Sequence, residues 1–312
     1  MVKSAAIQLD VISPIVVNGL RGRVLKMPAA KKTARRDILL IYGHHSSLER
    51  MYGIAEYLAA YGSVTMPDLP GFGGMDSFYK IGDKPTVDNL ADYLATFIKF
   101  NYHSRHIIIG AMSFGFVVVT RMLQKYPKLV EQVDLLFSLV GFSHHQDFKL
   151  KKRILFTFRY GASIFSNRLP AAFAKYVLLR KPLIKLTYLI IDRNNRKIRD
   201  ANPDERRRRI NFEVILWQKN DIRTYMETTV SMMKLDLTHT KVDMPLVNVT
   251  VGSDIYFDNA TVLGHFRQIF TSVRSYRTNL PNHAPTVISN ADEIKGFFTK
   301  AIQSELNRAP KY

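Results

Sequence analysis

The chain has 312 residues, of which 46% are hydrophobic and 23% are charged, and it contains no cysteine. These values are typical of a folded globular protein and exclude an intrinsically disordered or a fibrous chain. Without cysteine there can be no disulfide bond, thiolate metal site or cysteine nucleophile. The 45 lysines and arginines outnumber the 26 acidic residues, so the formal net charge is +19.

The sequence predicts neither a membrane-spanning helix nor a signal peptide. Its longest uncharged apolar stretch, residues 107–120, is shorter than the roughly 18 residues that a membrane-spanning helix needs. The first residues carry Asp10 within their apolar part and lack a clear small-residue cleavage site. We therefore expect a cytoplasmic protein, with peripheral contact at a membrane as the alternative.

The elements follow one another as a hairpin and then as alternating strands and helices. Residues 5–26 alternate apolar and polar residues around the turn signals Asn18-Gly19 and Arg21-Gly22, which predicts an N-terminal hairpin. The predicted strands that follow cover 37–42, 62–66, 106–110, 132–140, 245–251 and 273–278, and the predicted helices cover 48–61, 86–100, 114–125, 259–270 and 291–306. This alternation predicts an α/β protein with a mostly parallel sheet and helices on both faces.

Between residues 143 and 241 the pattern becomes helical, basic and aromatic, and Asn202-Pro203 is typical of a helix start. Residues 148–224 hold 20 basic against 6 acidic residues. The simpler interpretation is a helical segment whose apolar face packs on the core and whose basic face is solvated. The alternative is an apolar patch with a basic fringe that lies on an anionic membrane.

One serine stands at a sharp change of structure. The segment Gly110-Ala111-Met112-Ser113-Phe114-Gly115 closes a predicted strand and opens a predicted helix. A tight turn there exposes the serine hydroxyl and places the N–H groups of a helix N-terminus beside it. The residues two before and two after the serine must be small, and alanine and glycine satisfy this. A buried core serine at a helix start is the alternative interpretation.

With this motif the whole chain resembles the α/β-hydrolase family, whose usual elbow is Gly-x-Ser-x-Gly, with Ala111 replacing the first glycine. The segment from Met66 to Gly74 closely resembles the Asp-x-x-Gly-x-Gly loop of the family, and there the resemblance implies a structural role for Asp68. It also implies an α/β-hydrolase fold with a helical cap, or lid, inserted after strand 6. We therefore divide the chain into a first core part (1–142), a basic cap (143–241) and a second core part (242–312).

The resemblance also implies an oxyanion hole. Tyr42-Gly43-His44-His45 lies where the family usually has His-Gly-x, with Tyr42 replacing a histidine that is usually structural. The backbone N–H groups of His44 and Phe114 would then hold the negative oxygen that develops during acyl transfer. Two such donors are typically worth several kcal/mol in the transition state.

The order of a predicted catalytic triad also matches the family. Among nine histidines, only His283 lies in the loop between the last predicted strand and the last helix, although a plain solvent-loop histidine is the alternative. Asp254 follows the predicted strand 245–251, where the family carries its acid, at a spacing one residue shorter than usual. Asp258 is the other candidate, and it could instead cap the next helix. The order Ser113, Asp254, His283 is that of α/β-hydrolases.

These residues predict a serine hydrolase, carboxylesterase-like or lipase-like, that cleaves a carboxylic ester or a related acyl bond and uses no metal or organic cofactor. The apolar cap favours a lipid-like acyl substrate. The alternative is a noncatalytic scaffold that binds an anionic membrane or a partner through residues 148–224. A peptidase is disfavoured because neither Glu205 nor Glu213 has a clear role in holding a substrate amino group. Nucleic-acid binding is disfavoured because no binding module is recognisable, and the sequence does not predict the oligomeric state.

Overall fold

A computed structural model describes residues 10–191, 203–252, 254–278 and 291–310 of the chain. Its strands are β1 (Ile12–Val17), β2 (Leu20–Met27), β3 (Asp37–Ile41), β4 (Ser63–Pro67), β5 (Ile107–Met112), β6 (Val133–Leu139), β7 (Val242–Val251) and β8 (Phe270–Thr278). They form one sheet in the order β1-β2-β4-β3-β5-β6-β7-β8. The pairs β1–β2 and β2–β4 are antiparallel, and all other neighbouring pairs are parallel. The predicted α/β class with a mostly parallel sheet is confirmed.

Helices flank this sheet. The α-helices are α1 (Tyr52–Leu58), α2 (Val87–Tyr102), α3 (Phe114–Lys125), α4 (Lys152–Phe165), α5 (Arg168–Phe173), α6 (Lys181–Ile191), α7 (Pro203–Lys219), α8 (Ile222–Met232), α9 (Asn259–Ile269), α10 (Ala291–Ile294) and α11 (Lys300–Arg308). Short 3-10 turns cover Glu49–Met51, Phe78–Ile81, Pro127–Gln132, His145–Asp147 and Lys295–Phe297, and Ala174–Leu178 forms a π-helical turn. The predicted cap of Asn202 on α7 lies outside the described residues.

The N-terminal hairpin turns at Asn18-Gly19, where both residues have positive φ, as a two-residue turn between twisted strands requires. The second predicted turn, at Arg21-Gly22, is wrong, because both residues lie within β2 and pair with β1. The predicted last helix over 291–306 is also wrong in part. It breaks into α10, a 3-10 turn and α11, and the two consecutive aromatic residues at the break, Phe297 and Phe298, are both fully buried.

The core lies around the central strands. All six residues of β5 are buried, and α2 packs against α3 beside them. Helices α4 to α8 stand between β6 and β7 in the chain, and we call them the cap helices. They have a small cluster of buried side chains of their own, formed by Ala171, Ala174 and Ile222. No helix among the described residues is both long and apolar enough to cross a bilayer.

Candidate active site

Ser113 occupies a strained turn between β5 and α3. Its backbone has φ 49° and ψ −119°, a conformation that is unfavourable for a residue with a side chain. The turn is held from both sides, because the Ser113 N–H donates to Leu139 O at 2.9 Å and Phe116 N–H donates to Ser113 O at 3.0 Å. Strain of this kind persists only where the surrounding structure fixes it, and it is concentrated at functional sites. This is the backbone conformation that the predicted nucleophile elbow requires.

The loop after β3 packs directly on this elbow. A Cβ added at Gly115 would lie 2.3 Å from Tyr42 O, and one added at Gly43 would lie 3.1 Å from Ser113 Cβ. The position two residues after the serine must therefore be glycine, because backbone from the neighbouring loop fills the space. This close approach brings the segment that carries His44 against the segment that carries Ser113 and Phe114.

Replacing Gly115 by alanine should lower the free energy of unfolding by about 2–4 kcal/mol, since the new methyl group would overlap a backbone oxygen that cannot easily move. Gly264 in α9 provides the matched control, because nothing lies within 4 Å of a Cβ added there. Gly264→Ala should stabilise the protein by about 0.5–1 kcal/mol through helix propensity. Urea denaturation of both variants measures the difference, and equal stabilities would contradict the packing described above.

The side chain of His44 is partly buried in an aromatic pocket. Its ring lies 5.6 Å from the ring of Phe114 and 4.3 Å from that of Tyr225. Nε2 lies 3.2 Å from the carbonyl oxygen of Tyr225 and 2.9 Å from Thr228 Oγ1, so Nε2 carries the proton and donates to both. Burial lowers the pKa of His44 to about 3. The imidazole is therefore neutral and fixed at neutral pH, and it anchors the backbone of the predicted oxyanion loop to α8.

Tyr42 ties the loop after β3, which carries His44 and His45, to the loop of Asp68. The Tyr42 hydroxyl donates to Asp68 Oδ1 at 3.0 Å and accepts from Leu69 N–H at 2.7 Å. Arg23 Nε donates to Asp68 Oδ2 at 2.8 Å. Burial raises the pKa of Asp68 to about 6, although the Arg23 charge opposes this shift. These contacts of Asp68 join its loop to the loop after β3 and to strand β2, as expected of a structural residue.

The two candidate acids differ in their surroundings. Asp254 is buried, and its Oδ1 accepts from the N–H groups of Tyr256 at 2.8 Å and Phe257 at 3.2 Å. Asp258 instead begins α9, where its Oδ1 accepts from Thr261 N–H at 2.9 Å and Thr261 Oγ1 at 2.8 Å. The hydrogen bond from Thr261 N–H lowers the pKa of Asp258. Asp258 is thus engaged in capping a helix.

The sheet topology relates the predicted site residues to one another. Ser113 follows β5, His44 follows β3 and Asp254 follows β7, and carboxyl ends of parallel strands share one edge of a sheet. The chain leaves β8 at Thr278 on the same edge, and His283 lies outside the described residues. The structure therefore brings His44, Phe114 and Ser113 together, and it holds Asp254 on the same edge two strands away.

Glu213 of α7 joins the cap helices to the loop after β3, a role that the sequence analysis did not identify. It pairs with Arg50, lies 3.3 Å from His45 Nε2 and accepts from the Tyr188 hydroxyl at 3.2 Å. Asn220 Nδ2 donates to His45 Nδ1. The proton of the His45 ring is therefore on Nε2, which faces the Glu213 carboxylate. The sequence carries no signal for this network, because Glu213 is more than a hundred residues away from Arg50 and His45 in the chain. Burial alone would raise the pKa of Glu213, but Arg50 and His45 bring it down to about 2.

Replacing Glu213 by glutamine should destabilise the protein by about 3 kcal/mol at pH 7, because the Arg50 side chain, only 11% exposed, would lose its charged partner. The folded-state pKa lies below the ordinary value of 4.5, so the stabilisation by Glu213 is complete above pH 4.5 and is lost as the pH falls towards 2. Urea denaturation across this range should show wild type and variant converging. The exposed Glu131 supplies the control substitution, and a pH-independent difference would contradict the network.

Comparison with known proteins gives structural likeness alone. No protein-family model matches the chain, and no curated protein matches its sequence. Among solved structures, it is similar to a putative acyltransferase from Salmonella enterica, with a TM-score of 0.68, 20% identity and coverage of 99% of both chains. An epoxide hydrolase from Bacillus megaterium gives a TM-score of 0.66 at 13% identity, covering 95% of this chain and 100% of that one. An esterase from Thermogutta terrifontis gives a TM-score of 0.59 at 16% identity, covering 96% of this chain and 98% of that one.

These neighbours cover nearly the whole chain, core and cap helices alike. This likeness agrees with the mostly parallel eight-stranded sheet and the flanking helices described above. At 13–20% sequence identity, this likeness shows the fold only. The chemistry has to be argued from the residues of the site. The chain therefore has the α/β-hydrolase fold.

Proposed function

We propose that the protein is a serine hydrolase that cleaves a carboxylic ester or a related acyl bond. The observation that carries this proposal is the left-handed backbone of Ser113 at the strand-to-helix elbow. A buried core serine, the alternative interpretation, has no need of a strained backbone that neighbouring glycines must accommodate. A nucleophile needs it, because the turn lifts the hydroxyl above the sheet edge.

In the proposed reaction His283 takes the proton from the Ser113 hydroxyl as its oxygen attacks the substrate carbonyl carbon. The N–H groups of His44 and Phe114 stabilise the oxyanion of the tetrahedral intermediate. Collapse of the intermediate gives an acyl-enzyme and expels the alcohol, which takes its proton from His283. Water, activated by His283, then releases the acid and restores the serine. Asp254 orients the imidazole and stabilises its charged form.

Two features support an acyl substrate over the alternatives. An aspartate at the elbow would indicate dehalogenase or epoxide hydrolase chemistry, whereas the serine supports acyl transfer. Glu213, the acidic cap residue considered as a ligand for a substrate amino group, is engaged with Arg50 and His45. This engagement disfavours a peptidase. Solved neighbours that are named as an esterase and a membrane phospholipase A agree with an ester substrate.

The test is hydrolysis of nitrophenyl esters over a range of acyl-chain lengths, with fluorophosphonate labelling followed by mass spectrometry. We expect turnover of at least one ester and covalent modification at Ser113. The chain-length preference would define the pocket. A protein that neither turns over any ester nor reacts with the fluorophosphonate would support the noncatalytic scaffold instead.

A further inference from the structure

The cap helices expose an unusual amount of apolar surface. Eighteen large hydrophobic side chains are exposed within the described part of the chain, and twelve of them lie between residues 154 and 186. These twelve are Ile154, Phe156, Phe158, Tyr160, Ile164, Leu169, Phe173, Tyr176, Val177, Leu178, Leu183 and Leu186. Scattered single exposures are normal, but a dense group of aromatic and aliphatic side chains marks an interaction surface. We call residues 151–186 the apolar cap surface.

The same stretch is strongly and uniformly basic. Residues 148–191 contain ten lysines and arginines and no acidic residue. Exposed basic side chains lie among the apolar ones, namely those of Lys151, Arg153, Arg159, Arg168, Lys175, Arg180, Lys181 and Lys185. Apolar side chains with a fringe of lysine and arginine are the pattern of helices that lie in a membrane interface.

We infer that the apolar cap surface docks the protein onto anionic membranes, with helices α4, α5 and α6 in the interface. The apolar side chains would enter the boundary between headgroups and acyl chains, and the basic side chains would contact lipid phosphates. Long lysine and arginine side chains reach headgroups while their stems stay on apolar surface. This inference does not depend on the proposed hydrolase activity.

The positive charge of the apolar cap surface favours an anionic membrane over a second copy of the chain as its binding partner. A second copy of this chain would bring two strongly basic surfaces together, which costs free energy through like-charge repulsion. An anionic lipid surface instead satisfies both features at once, since it offers phosphates to the basic residues and hydrocarbon to the apolar ones. A spanning arrangement is unsupported, because no helix in the described ranges is long and apolar enough to cross a bilayer.

The experiment is co-sedimentation of the full chain with vesicles of phosphatidylcholine, with or without phosphatidylglycerol. We expect binding to the anionic vesicles that weakens as salt is raised and the Debye length falls from about 10 Å at 0.1 M to about 3 Å at 1 M. Replacing Arg159 and Lys175 together by glutamate should weaken partitioning at least roughly tenfold. Replacing Phe158 and Leu169 together by serine should also weaken it roughly tenfold, because hydrophobic insertion is lost.

Matched controls lie on the core. Lys84 and Lys128 are exposed, and their joint replacement by glutamate changes the net charge equally. Phe100, 71% exposed on α2, is the apolar control for replacement by serine. Both controls should bind like wild type, and so should Ser113→Ala, which separates docking from catalysis. Absence of binding at low salt would overturn the inference, as would equal losses in the controls. If the protein instead self-associated without lipid, and the joint replacement of Phe158 and Leu169 by serine abolished this, the apolar cap surface would be assigned to binding a second copy of the chain.

Discussion

Replacing Ser113 by alanine should lower kcat/KM for a nitrophenyl ester by about 10³-fold or more. The variant loses the only proposed nucleophile while keeping the predicted oxyanion donors, so a small residual rate remains. Alanine retains Cβ and therefore the same backbone strain, and the fold should be preserved. Steady-state rates with wild type and variant, together with a circular dichroism melt of each, measure the effect.

Ser63 supplies a serine control at the opposite end of the sheet strands, where β4 begins. Ser63→Ala should retain wild-type activity within a factor of about two. Fluorophosphonate labelling should disappear in Ser113→Ala and persist in the control. A folded Ser113→Ala variant that keeps wild-type turnover would show that the hydrolysis happens elsewhere and would remove the elbow from the proposal.

Replacing Asp254 by asparagine should lower kcat by roughly 10⁴-fold, because an amide cannot hold the imidazole in the reactive tautomer or stabilise its positive form. The asparagine oxygen can still accept from the N–H groups of Tyr256 and Phe257, so the loop geometry is retained. Single-turnover and steady-state measurements on the same ester separate an effect on the chemical step from one on binding.

The matched variant is Asp258→Asn, which tests the other candidate acid. Its carboxylate caps α9 through Thr261, and asparagine is also a good cap. We expect activity close to wild type and a stability change below about 1 kcal/mol. If Asp258→Asn abolished turnover while Asp254→Asn retained it, the proposed triad would have the wrong acid.

Elements with strong local patterns were predicted well from the sequence. The third helix was predicted over 114–125 and spans those residues, because a buried strand, a serine and a glycine mark its start. The last helix was predicted as one piece, since the periodicity of 291–306 carries no sign of the break at Phe297 and Phe298. The turn signal at Arg21-Gly22 was overridden by pairing with β1, a contact that forms only once the hairpin closes.

The sequence by itself determined the fold class, because the alternation of strands and helices depends on residues that are neighbours in the chain. It also predicted the elbow at Ser113, and the resemblance to α/β-hydrolases supplied the candidate acids. Only the tertiary structure decided how distant segments meet. It placed the backbone of Tyr42 against Gly115, made Asp258 a helix cap, and joined Glu213 to Arg50 and His45 across more than a hundred residues. Such contacts depend on packing between elements, and local periodicity carries no information about which elements pack together.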